Sequence, residues 1–267
     1  MMRGPDRMAV AVRRPEGTIA VWKECFRPWV ERHPLLRRPF LRGPVMVAEA
    51  LSLGVRALLY SASEAEPEGR GISRSEGAVV VLVAVVLAVG LFALFPTWAA
   101  RALVPAGNPW LWHLVEGILR VGIFLGYVWL ISLAPDIKRV FQYHGAEHKV
   151  IHAYEAGEEL TVESVCKYPP QHPRCGTSFL LLFALLSLLV FAFTGWPSLW
   201  ERVLWRLGLL PVVVAVAYEA LRLGGRSRSL PARLLSAPGL WLQRLTTREP
   251  DGSQIEVAIR AFQAVRE

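Results

Sequence analysis

Residues 78–95, AVVVLVAVVLAVGLFALF, contain no polar side chain. A helix built from such a run has no face to offer water, so it predicts a membrane span rather than part of a soluble core. Three further spans are expected at about Leu111–Ala134, at Phe179–Phe193 with Thr177 and Ser178 leading in, and at Val203–Leu223, which Pro211 should kink. The composition agrees: of 267 residues, 53% are hydrophobic and mean hydropathy is +0.35. The expected fold class is mainly α: a polytopic membrane protein with about four transmembrane helices, an interfacial helix, and a small cytoplasmic part that includes a β-hairpin.

The segments around the spans are polar and basic. Residues 1–43 form a basic segment in which Ala9–Arg13 and Thr18–Lys23 are expected to pair around a turn at Pro15-Glu16-Gly17. A lone hairpin is marginal, so it should pack on another element. Residues 44–60 read as an interfacial or re-entrant helix whose Glu49 and Arg56 mark a water-facing side. Residues 61–77 are loop-like. The membrane domain covers 78–223 with a polar insert at 135–178, and Pro96 and Trp98 are read as its first interface. A basic tail, 224–267, should hold amphipathic helices around Leu240 and from about Ser253, where Ile255, Ala258, Ile259, Phe262 and Val265 repeat at helical spacing.

Arg and Lys crowd residues 1–43 and the tail, whereas loop 96–109 has Arg101 and loop 194–202 has Arg202. The positive-inside rule then places both termini and the insert in the cytoplasm of a bacterial inner-membrane protein. No cleavable signal peptide is expected. Cys25, Cys166 and Cys175 are too few and too irregular for a disulfide framework. The net charge of +8 suits anionic lipid head groups around a bilayer-embedded chain, with no nucleic-acid partner and room for a homo-oligomer. Glu116 and Arg120, at i,i+4 spacing inside the second span, should pair and face protein.

Candidate chemistry concentrates in the insert. His144, Glu147 and His148 form H-x-x-E-H, which sets two imidazoles one turn apart with a carboxylate beside them, the inverted arrangement of some zinc proteases. His172 and Cys175, in the Pro-rich H-P-R-C, add a nitrogen and a thiolate, and Glu219 can come from the last span. A divalent metal, Zn²⁺ foremost, would sit on His144, His148, His172, Cys175 and Glu219, with Glu147 as catalytic base. His144 and His152 are about 12 Å apart on a regular helix and cannot share an ion, so His148 pairs with one or the other. The plainer readings are a polar histidine stripe facing lipid phosphate and two packed thiols.

The stretches FQYHGAEHKVIHAYE and LTVESVCKYPPQHPRCGTSFLLL, with MMRGPDRMAVAVRRPEG, YEALRL and LLSAPGLWLQRLTTREPDGSQIEVAI, resemble the YqhQ-like family of bacterial membrane proteins of unknown function. The resemblance covers nearly the whole chain and implies metal dependence through the same His, Glu and Cys residues. Three functions fit: a membrane-embedded metal-dependent hydrolase, an oligomeric channel or transporter using Glu116, Arg120 and Glu219, and a non-catalytic scaffold.

Overall fold

The expected hairpin forms and gains a third strand. In the computed structural model, which describes residues 1–65, 74–105, 108–193, 199–226 and 229–267, strands β1 (Met2–Arg3), β2 (Arg7–Arg13) and β3 (Ile19–Cys25) make an antiparallel sheet in sequence order. The register runs from Arg7 opposite Cys25 to Arg13 opposite Ile19. Gly17 closes the turn at φ +92°, a conformation that disfavours any side chain. The apolar residues of β2 supply both faces: Val10 and Val12 pack with Ala57, Trp22 and Tyr60, while Ala11 packs toward the C-terminal helix beside Met2.

Helix α1 spans Arg42–Ala65, longer at both ends than the sequence suggests. It is long and apolar enough to cross a membrane. Three of its four charged residues, however, are tied to the N-terminal segment: Glu49 accepts from Arg3 and from the Trp29 N–H, Arg56 donates to Glu24 at 2.8 Å, and Glu64 accepts from Arg14 at 2.6 Å. Glu49 is thus buried and not water-facing, because Arg3 and the Trp29 amide satisfy its oxygens.

Helix α2 (Arg74–Val89) passes through a π turn at Gly90–Leu94 into α3 (Phe95–Leu103), so Pro96 does not end the span. Proline is tolerated there because it occupies the first turn of α3, where the wider π turn already breaks the regular ladder. Helix α4 covers Pro109–Ile131 and leads through a short turn into α5, Pro135–Glu155. The short α6 (Val162–Cys166) and a Pro-rich loop precede α7 (Thr177–Ala192), and α8 runs from Leu199 to Arg226 through Pro211. Of the stretch 61–77 read as a loop, 61–65 and 74–77 are helical in α1 and α2, while 66–73, like 194–198 in the loop where the third span is expected to end, lie outside the described residues.

Among the described residues, four helices are long and apolar enough to cross a membrane, by length and composition: residues 42–65, 75–103, 110–131 and 204–225. The expected third span, α7, is apolar but shorter. It packs against α4 and α8 and against α9, Leu230–Thr246. Helix α10, Gly252–Arg266, starts on a capping box in which Asp251 and Gln254 each bond the other's backbone N–H. Its Ile255, Ala258, Ile259 and Phe262 join Met2 from β1 and Ala146, Val150 and Ala153 from α5 in one core. Both ends of the chain thereby pack against the helix that carries the histidines.

Candidate metal centre

Helix α5 opens with Pro135 at its first position and Asp136 in its first turn, both suited to a helix N-terminus. Gly145, Ala146, Lys149, Val150 and Ala153 give it a buried face of mostly small residues. A Cβ on Gly145 would lie 2.3 Å from the Arg248 carbonyl oxygen, so only glycine lets the α9–α10 connection come this close. The Arg248 N–H donates to Phe141 O at 2.9 Å. Lys149, 2% exposed, reaches out of the core to Cys166 O at 2.9 Å and Glu249 at 2.5 Å, which fixes α6 and that connection to α5.

The end of α9 and the Pro-rich loop before α7 supply the histidines' outer partners. Nδ1 of His144 lies 2.8 Å from Thr246 O, and Nδ1 of His148 lies 2.7 Å from Pro170 O. A carbonyl oxygen can only accept, so both Nδ1 atoms carry a proton, and in the neutral ring each Nε2 keeps a lone pair. Nε2 of His144 is 3.2 Å from Sγ of Cys175. One ring nitrogen of each histidine and this sulfur all lie within 4.8 Å of one another, a grouping that can hold a metal ion. Tetrahedral zinc needs N···S separations of about 3.6 Å, so small adjustments would close the set.

Cys175 is buried and enters through the tight turn into α7. Its Sγ is 3.0 Å from Thr177 Oγ1 and accepts from the Thr177 N–H at 3.4 Å, at the first residue of α7. Burial disfavours its thiolate, but the hydrogen bonds and charges of His144 and His148 outweigh that and bring the thiol down to about 5. Burial likewise works against charge on His144, yet the contacts to Cys175 and Thr246 O leave its pKa raised.

His152 and His172 continue the row without joining the close group. His152 Nε2 donates to Gln171 O at 2.8 Å, and its ring lies 4.5 Å from that of His172. His172 is pushed down to about 4 by burial and by His152 and His148, so it is neutral near pH 7, and its 3.6 Å approach to Glu155 is not an ion pair there. His172 Nδ1 accepts from the Arg174 N–H at 3.2 Å, which assigns the ring proton to Nε2. Of the two pairings left open by sequence, the structure brings together His144 and His148.

Two expected residues lie elsewhere. Glu219 accepts both guanidinium arms of Arg42, a strong fork that holds the start of α1 against α8 and takes it away from the cluster. Glu147 lies about 60° around α5 from His144, and its carboxylate takes the Met1 amino group at the β1 edge. It is not in the close group.

Sequence reading missed Gln243. This residue is 0% exposed, accepts from the His172 N–H at 2.8 Å, and donates to His172 O and Ser178 Oγ at 2.9 Å each. Its signal was a lone amide on the face of α9 that also carries Gly239, Leu242 and Thr246 and is buried.

The fold is therefore that of a mainly helical protein with four helices apolar enough for a membrane and a His/Cys cluster on a polar helix between them. The chain belongs to the protein family of unknown function DUF1385, whose model matches residues 38–267. It is similar to "Uncharacterized protein YqhQ" of Bacillus subtilis (strain 168), at 35% identity over 278 aligned residues that cover 98% of this chain and 87% of the relative. No solved structure matches.

Proposed function

We propose that the protein is an integral membrane protein that holds one divalent ion, Zn²⁺ foremost, on His144, His148 and Cys175 for hydrolysis at the cytoplasmic face. The carrying observation is the anchoring of both Nδ1 atoms on backbone carbonyls, with one ring nitrogen of each histidine and the buried Cys175 sulfur brought into one close group. Such outer hydrogen bonds accompany metal-bound imidazoles because they fix tautomer and ring angle. With three protein ligands in the group, a fourth position is left for substrate or water, as in catalytic rather than structural sites. An ion held there would supply Lewis acidity and lower the pKa of water.

Contacts and chain parity support four crossings, by α2–α3, α4, α7 and α8. The sheet, α5 and α10 share one core and must lie on one side. Were α1 also to cross, α5 would emerge on the wrong side. Its three charged residues bonded to the N-terminal segment suit a helix lying at that surface, with Leu51 and Leu58 turned outward. The excess of Arg and Lys on the same side makes it cytoplasmic.

A second reading rests on the 3.2 Å contact itself: Cys175 as nucleophile, activated by His144. Elemental analysis of the purified full chain separates the two. About one ion per chain, lost in His148→Ala, supports the metal centre. A metal-free protein whose Cys175 is alkylated fast near pH 7, and slowly in His144→Ala, supports the nucleophile and sinks the first reading.

A further inference from the structure

Away from the His/Cys cluster, four polar side chains meet among the apolar helices. Glu116 Oε1 accepts from Thr97 Oγ1 at 2.7 Å, from Arg120 Nη2 at 2.6 Å, and from Arg206 Nη2. Arg206 Nη1 also donates to Thr97 Oγ1 at 3.0 Å. Glu116 and Arg120 lie 15 and 11 residues before Ile131, the end of α4 that leads to the histidines. At 1.5 Å per residue that is about 22 and 17 Å away. Arg206 is likewise near the opposite end, on the eighth residue of α8.

We infer that Arg120 and Arg206 form a binding site for a phosphate-type oxyanion in the half of the helical region opposite the His/Cys cluster. The site rests on the membrane reading and not on the metal. Among the described residues two guanidiniums share one carboxylate, which leaves an excess of positive charge where an unpaired charge is costly. The carboxylate is the inner partner: Glu116 is 3% exposed, whereas Arg120 and Arg206 are 14% and 21% exposed, so the spare donors face outward. Planar guanidiniums match the spacing of phosphate oxygens.

The arginines are also held in place by groups that are not anions. Pro96 has no N–H, so the Phe92 carbonyl four residues before it lacks its helical donor. Arg120 Nε donates to that carbonyl at 3.0 Å, at the π turn. The ring of Phe191 lies 5.7 Å below the Arg206 guanidinium. An interrupted helix, a missing backbone donor and an aromatic ring together orient both cations before any ligand arrives.

The test is thermal unfolding of the full chain in two settings: phosphatidylcholine nanodiscs with and without phosphatidylglycerol, and detergent with and without inorganic phosphate. An upward shift with phosphatidylglycerol alone identifies a lipid head group, and a shift with phosphate identifies a free oxyanion. Arg206→Gln should lose at least half of the shift and Arg206→Lys should keep more of it. Glu116→Gln should enlarge it, because the guanidiniums lose their competing carboxylate, which a purely structural ion triad would not do. No shift in either setting overturns the site, as does a shift that Arg206→Gln and Glu116→Gln leave unchanged. Failure to enter nanodiscs at all would instead count against the membrane reading.

Discussion

Sγ of Cys175, two residues before α7, lies 3.2 Å from Nε2 of His144, in the middle of α5. This contact joins the polar helix to the apolar bundle, and the proposed chemistry depends on its charge state. The Cys175 thiol stands at about 5 in the fold against an ordinary 9.0. A depressed pKa favours the fold above the ordinary value, and that contribution is lost as pH falls through about 5. Bound metal should follow the same course, retained near pH 7 and released as pH drops through about 5. Cys175→Ser should lose it at neutral pH, which dialysis at graded pH followed by elemental analysis checks.

His172 predicts a second acid sensitivity with a different window. Its folded pKa of about 4 lies below the ordinary 6.5, so between these values the unfolded chain takes up more protons and stability falls as pH falls. The contribution is roughly 2 kcal/mol after allowance for screening. Thermal unfolding of His172→Asn should show a flatter dependence than wild type from about pH 6.5 to 4.

Gly145→Ala should be disruptive although it changes one methyl group. The new Cβ meets the Arg248 carbonyl, which is backbone and cannot swing aside. Overpacking of this kind costs about 1–3 kcal/mol. A lower unfolding midpoint, with a weaker hold on metal as Thr246 O moves from His144, is the expected result.

Gln243→Leu keeps the bulk and removes three hydrogen bonds, leaving the His172 backbone amide unpartnered, whereas the His172 carbonyl keeps the Cys175 N–H. Each buried group left so costs about 1–3 kcal/mol. Chemical denaturation should show a loss of that order. Gln243→Glu, whose carboxyl both accepts and donates once protonated, should lose less than Leu at low pH.

Glu219→Gln should leave the metal content unchanged, because its carboxylate is committed to Arg42. A double-mutant cycle with Arg42→Gln should give a coupling of about 1 kcal/mol. Loss of metal in Glu219→Gln would restore this residue as a ligand.

The chain's local patterns determined its elements. The apolar run at 78–95 required a helix without a water-facing side, the hairpin followed from its turn and alternating residues, and H-x-x-E-H placed His144 and His148 one turn apart. Those are properties of neighbours in sequence, where helical rise and pleat fix distances. Tertiary packing decided what lay beyond them. Glu219 and Glu147 were plausible by type and position, but Arg42 and the Met1 amino group claimed their carboxylates. Pro96 looked like a helix end until the π turn and Arg120 made good its missing bond. The histidine tautomers depended on Pro170 and Thr246, 22 and 102 residues away from the rings they orient. A metal-capable site needs lone pairs converging on one point, and no local spacing can ensure that when the carbonyls that turn the rings come from the far end of the chain.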